Sequence, residues 1–307
     1  MARIFHTVIV ADWSAANAPT PRRPSRDAIW IAVARAGRAA APPVCHRTRA
    51  AALAALADLF AAEAAAGRRV LAGFDFPFGW PRGLAARVTG RPEGPALWDW
   101  LADAVTDGPD NRSNRFAAAE RINALFPGLG PFWGRPRTAP HPGVPERGRD
   151  RHGPDHPPER RHAEALIPRA QPCWKLYTTG SVGSQALVGV AGLARLRRDP
   201  RLAGRTAVWP FDGGFAVPDA AVTLAEIYPG LIDPAVRARV AATGGIKDAV
   251  QVTLLAEALR RLDAQGRLAE ALAAPRARGG ARSDAAREEA WILGLDLRAE
   301  LLAAAEA

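Results

Sequence analysis

Thr7-Val-Ile-Val-Ala-Asp12-Trp-Ser14 and Val70-Leu-Ala-Gly-Phe-Asp75-Phe-Pro77 share one design, a short apolar run closed by a single aspartate. Runs of this length without polar alternation read as strands buried on both faces, which places each carboxylate where its strand emerges from the core. An aspartate also commonly starts a turn, so either residue alone has a structural reading. Two such ends side by side would make a cation site, because hard divalent ions take oxygen ligands and serve phosphoryl chemistry.

Working outward, Ala28 to Ala34 and Pro43 to Arg47 read as two further strands, separated by Pro- and Gly-containing turns. An Ala- and Leu-rich helix is expected from Arg49 to Ala65, stopped by Gly67, before the strand Arg69 to Phe76. Helices are expected at Ala96 to Ala104 and Ser113 to Leu125. A Pro-, Gly-, Arg- and His-rich stretch from Phe132 to Arg169 then carries His141, His152, His156 and His162 in no metal-ligand spacing. We read residues 79–170 as an insertion in one elaborated domain spanning 1–307. Regular structure resumes at Cys173-Trp-Lys175-Leu-Tyr-Thr-Thr-Gly180-Ser181-Val-Gly183-Ser-Gln185, leading into a helix from Gln185 to Arg198. Small residues ahead of a helix suit an anion or a plain turn, and no Walker motif accompanies them. Strands Thr206 to Phe211 and Ala221 to Ile227 follow, then helices Lys247 to Leu272 and Asp284 to Ala305.

Composition sets wide bounds. A chain of 307 residues can bury a full core, and its formal charge of +10 favours polyanions. Almost all of that charge is arginine spread along the chain, so it marks no focused patch. The two lysines, Lys175 and Lys247, both lie in singled-out segments. Cys45 and Cys173 make neither a disulfide framework nor a zinc site. Without a long apolar run or a leader pattern, the expectation is a cytoplasmic protein with no membrane partner.

The order β-β-β-α-β with an acid closing the first and fourth strands is the opening of the ribonuclease H-like fold, an α/β mixed sheet flanked by helices, here with a large helical and loop insertion. The chain resembles domain-of-unknown-function family 429, whose members are regarded as predicted nucleases of this fold. The resemblance rests on Val-Ile-Val-Ala-Asp12-Trp-Ser, Gly73-Phe-Asp75-Phe-Pro77, Asn114-Arg-Phe-Ala-Ala-Ala-Glu120, Gly180-Ser-Val-Gly183, Ala225-Glu226-Ile-Tyr-Pro229, Lys247-Asp248-Ala and Glu289-Ala. The family's closing pattern has aspartate where this chain has Glu289.

The resemblance implies that Asp12, Asp75 and Glu289 bind Mg²⁺ or Mn²⁺, with Glu226 or Asp248 completing the catalytic set. Arg112, Arg115 or Lys175 would neutralise the attacked phosphate, and Ser14, Gly180, Ser181, Gly183 and Lys247 are further substrate-binding candidates. The expected activity is a metal-dependent phosphodiester hydrolase, a nuclease on DNA or RNA. Two other readings stay open. One is a nucleotide-binding ATPase or kinase-like enzyme of the related actin-like fold, against which the duplicated halves of that fold are not found. The other is a non-catalytic module that binds a small molecule or a protein. No ladder of basic and aromatic residues marks nucleic acid; Trp98, Trp100, Trp133 and Trp174 read as core or lid.

Overall fold

A computed structural model describes residues 3–39, 41–148, 155–273, 277 and 279–307. The apolar runs do form strands: β1 (Thr7–Asp12), β2 (Ile29–Arg35), β3 (Val44–His46), β4 (Val70–Phe74), β5 (Thr206–Val208) and β6 (Val222–Glu226). They make one mixed sheet in the order β3-β2-β1-β4-β6-β5. β2 pairs antiparallel with β1 and β3, while β1, β4, β6 and β5 pair in parallel. β1 and β4 are central, which is why their sequences lack polar alternation.

Alternation along β1 sorts the core into two layers. Ile9 and Ala11 face a cluster with Leu56 and Phe60 of α1 (Arg49–Ala65) and Leu187 and Val190 of α6 (Gly183–Arg197). Val8 and Val10 face the opposite cluster with Val252, Leu255 and Leu259 of α8 (Lys247–Ala264) and Leu301 of α11 (Arg298–Glu306). α1 starts where Thr48 Oγ accepts the Ala51 amide at 3.2 Å, and the chain leaves it through Gly67 at φ 68°. Glu63 on α1 is buried against β1 and β2, where it accepts hydrogen bonds from Thr7 Oγ, Arg35 and Arg68.

The insertion holds α2 (Leu84–Thr89), α3 (Gly94–Ala104), α4 (Arg115–Asn123) and α5 (His162–Ala165). α3 and α4 occupy the expected places; α2 and α5 are short helices that periodicity did not reveal. His141 pairs with Glu120 at 3.0 Å, His156 with the Pro127 carbonyl at 2.8 Å and His162 with Asp284 at 3.2 Å, so these three serve separate local contacts. His152 lies outside the described residues. Beyond β6 come α7 (Asp233–Thr243), α8, α9 (Arg267–Ala273) and α10 (Gly279–Asp284).

Two expected helices divide. Lys247 to Leu272 breaks at Gly266, at φ 74°, into α8 and α9. Asp284 to Ala305 is not one helix: a π-type turn over Ala285–Glu289 ends at Ala290, at φ 62°, and after Gly294, at φ 84°, the chain re-enters helix at α11. The strand expected to reach Phe211 stops at Val208, ahead of the cis Trp209–Pro210 bond.

Candidate functional site

The register decides which acids meet. Ala11 of β1 lies opposite Phe74 of β4, so the next residues, Asp12 and Asp75, leave the sheet side by side at the same end of two parallel strands. Their carboxyl groups are close enough to share a hydrogen bond. Each has one further anchor: Gln251 Nε2 donates to Asp12 Oδ2 at 3.0 Å, and the Trp13 amide donates to Asp75 Oδ1 at 2.7 Å. Gln251 sits one turn after Asp248 on α8, so both face the pair. Asp248 itself accepts the amide of Asp27, a residue at φ 61°, at 3.2 Å.

Packing several acids away from water has a predictable electrostatic result. Burial, the Asp75 charge and the Asp248 charge raise Asp12 well above the usual carboxylate range. Burial pushes Asp75 up to about 7, although the Trp13 amide opposes it, and burial also raises Asp248. The pair therefore holds a proton near neutrality or needs a cation beside it. All the donors are carboxylate or amide oxygens, a hard set suited to Mg²⁺ or Mn²⁺. Among the described residues no three Asp, Glu, His or Cys side chains gather as a ligand cluster. The residues thus fit an ion held by one or two carboxylates with its other positions left to water and substrate, the usual state of Mg²⁺ at phosphate chemistry.

A cavity of 580 Å³ opens from Asp12 and Asp248 and is lined also by Ser14, Asn17, Arg115 and Ser181. Arg115 is the notable wall. It is buried, lies over the Phe116 ring at 4.9 Å, and among the described residues donates to neutral oxygens, those of Ser184 at 3.1 Å and of Asn17 and Ser113 at 2.9 Å, with Asp107 the nearby favourable charge. Burial and repulsion from Arg49 lower its pKa to about 10, which describes a guanidinium that an incoming anion would stabilise. Arg49, fully buried, fixes this wall from behind by holding both Asp107 oxygens and the carbonyls of Ser14, Ala16 and Asn111.

Comparison of the chain with family models, with curated proteins and with solved structures finds no match.

Several expected site residues are placed elsewhere. Glu226 lies opposite Phe74 on the pleat and therefore faces the α1 side, away from Val8, Val10 and Asp12. There Arg161 grips both its oxygens, at 2.6 and 2.7 Å, and the Phe78 amide donates to it at 2.9 Å. Glu289 is not beside Asp12 and Asp75. Its two oxygens accept the amides of Arg82 at 2.9 Å and His162 at 2.7 Å, so it fastens the insertion to the C-terminal segment. Its neighbour Glu288 accepts the Gly83 and Ala85 amides at the start of α2.

The substrate-binding candidates divide in the same way. Arg112 is exposed beside Asp110, and Lys175 Nζ is turned onto Gln171 and the Thr179 carbonyl. Ser14, Arg115 and Ser181 line the first cavity, whereas Gly180 and Lys247 line a second one described below. Gly180 supplies a turn at φ 75°. Gly183 is required by close packing, because a Cβ there would stand 2.4 Å from the Cys173 carbonyl oxygen. Sequence reading missed Gln251, legible as one helical turn from Asp248, and Arg161, which nothing distinguishes from the many other arginines of its segment.

Proposed function

We propose that the chain is a divalent-cation-dependent phosphodiester hydrolase of ribonuclease H-like fold, with Asp12 and Asp75 as the cation-binding pair. The observation that carries this reading is that pair, half-buried at the ends of adjacent parallel strands beside a cavity walled by Arg115, which has no ion pair with any described residue. The fold assignment is supported by the strand order and by β2 alone running against the other strands.

Bound Mg²⁺ or Mn²⁺ would supply Lewis-acid polarisation and a more acidic bound water. The chain's own residues do the rest. Gln251 and the Trp13 amide each hold one oxygen of the pair and so fix the direction of the remaining lone pairs. Arg115 donates to the non-bridging oxygens of the phosphate, where negative charge grows during in-line attack. Asp248 adds negative potential that draws in the cation.

The test is hydrolysis of bis(p-nitrophenyl) phosphate with Mn²⁺. The wild type should turn over, Asp12→Asn and Asp75→Asn should be inactive though folded, and Arg115→Gln should lose about two orders of magnitude in kcat/KM. Undiminished turnover in both aspartate variants would refute the assignment.

A further inference from the structure

A second cavity, of 640 Å³, lies on the other side of the acid pair. Asp75 and Gln251 form its wall towards the pair, and Gln185 lines both this cavity and the one containing Arg115. The scissile position proposed above thus stands between two chambers. Each has the size that takes a small molecule.

The far end of the second chamber is built around Tyr228. The tyrosine ring lies so closely over the backbone that a Cβ on Gly230 would come within 2.5 Å of it, which fixes the phenol's direction. Burial and the Asp233 charge raise the phenol's pKa and keep it a hydrogen-bond donor, while Arg169 and Arg298, which line the same chamber, act on it in the opposite sense.

Of the four acids in the lining, Asp75 belongs to the acid pair and the other three already have cations. Glu226 and Glu164 are held by Arg161 at 2.6 and 2.8 Å, and Asp233 by Arg237 and, at 3.7 Å, by Lys247. Arg169 and Arg298, by contrast, have no side-chain hydrogen bond or ion pair with any described residue. Two guanidinium forks and a phenol hydroxyl, from the turn after α5, the turn after β6 and the start of α11, supply donors to one chamber, and Asp233, the acid nearest Tyr228, is already engaged by Arg237 and Lys247.

We propose that Arg169, Arg298 and Tyr228 form a subsite for a terminal phosphate, so that the substrate is a small phosphodiester carrying a second phosphate, of dinucleotide size, and not a polymeric strand. The phosphorylated arm fills the second chamber, the diester sits at Asp12 and Asp75, and the other arm enters the chamber of Arg115. This rests on the hydrolase reading for its chemistry, but the subsite itself is testable without turnover.

The probe is inorganic pyrophosphate, titrated calorimetrically into the full chain in EDTA. The wild type should bind, and the double variant Arg169→Gln/Arg298→Gln should bind roughly tenfold or more weakly, having lost two charge-assisted donors. Arg112→Gln, at an exposed arginine that lines neither chamber, should keep the affinity. Equal affinity in the double variant, an equal loss in Arg112→Gln, or no binding by the wild type would each overturn the subsite.

With Mn²⁺, the double variant should raise KM for a 5′-phosphorylated dinucleotide and leave bis(p-nitrophenyl) phosphate hydrolysis unchanged. An unaltered KM would refute the subsite while the hydrolase stands. Failure of the wild type on both substrates, with pyrophosphate binding intact, would instead remove the hydrolase and keep the phosphate site.

Discussion

Replacing Asp75 by asparagine should stabilise the metal-free protein at pH 8, the reverse of what most buried substitutions do. The carboxyl of Asp75 titrates near 3.8 in an unfolded chain and at about 7 in the fold, because burial penalises its charge. Between those values the unfolded chain binds fewer protons than the native one, so stability falls as pH rises through the window. The displacement corresponds to about 4 kcal/mol in total, fully felt above pH 7.

Asparagine keeps an oxygen for the Trp13 amide and brings an N–H to Asp12, so the local geometry survives while the charge does not. Part of the gain is returned by imperfect fit, leaving an expected stabilisation of about 2 kcal/mol or more at pH 8 in EDTA. At pH 5, nearer the lower end of that window, the gain should be smaller by about 2–3 kcal/mol. Urea denaturation followed by tryptophan fluorescence measures both. A variant that is less stable than wild type at pH 8 in EDTA would show that the fold does not penalise the Asp75 charge as described here.

Two further outcomes follow from buried charge elsewhere. Arg161→Met strands Glu226 and Glu164 in the interior and should cost about 3–5 kcal/mol in urea unfolding, whereas Arg161→Met/Glu226→Gln should recover part of that loss. The partners of Glu63 hold its pKa at about 2 against the 4.5 of an unfolded glutamate. Its contribution is therefore complete above pH 4.5 and disappears as pH falls towards 2. It amounts to about 2 kcal/mol after allowance for solvent around Arg35 and Arg68, so Glu63→Gln should flatten this part of the acid-denaturation profile.

The central strands were legible because burial on both faces forces uninterrupted apolar runs, and the terminal aspartates stood out against them. α1 was legible through its cap at Thr48 and its stop at Gly67, two local devices that need no tertiary context. Long-range choices were not. Glu226 looks like a third strand-end acid in one dimension, and only its register opposite Phe74 shows that the pleat turns it the other way. Glu289 keeps its charge but closes a π-type turn, a backbone irregularity that Ala-rich sequence does not announce, and its oxygens go to two amides from the insertion. Arg161, which pairs with Glu226, belongs to a segment so rich in arginine and proline that composition does not single it out. Among the described residues no helix is long and apolar enough to cross a membrane, in keeping with the absence of such a run in the sequence.

The most direct test of the central claim is equilibrium binding of Mn²⁺, followed by electron paramagnetic resonance of the free ion at pH 7.5. A cation held by Asp12 and Asp75 predicts saturable binding by the wild type, competed by Mg²⁺, that Asp12→Asn and Asp75→Asn each weaken by an order of magnitude or more while Glu226→Gln and Glu289→Gln leave it in place. Wild-type affinity retained in both aspartate variants would contradict the account.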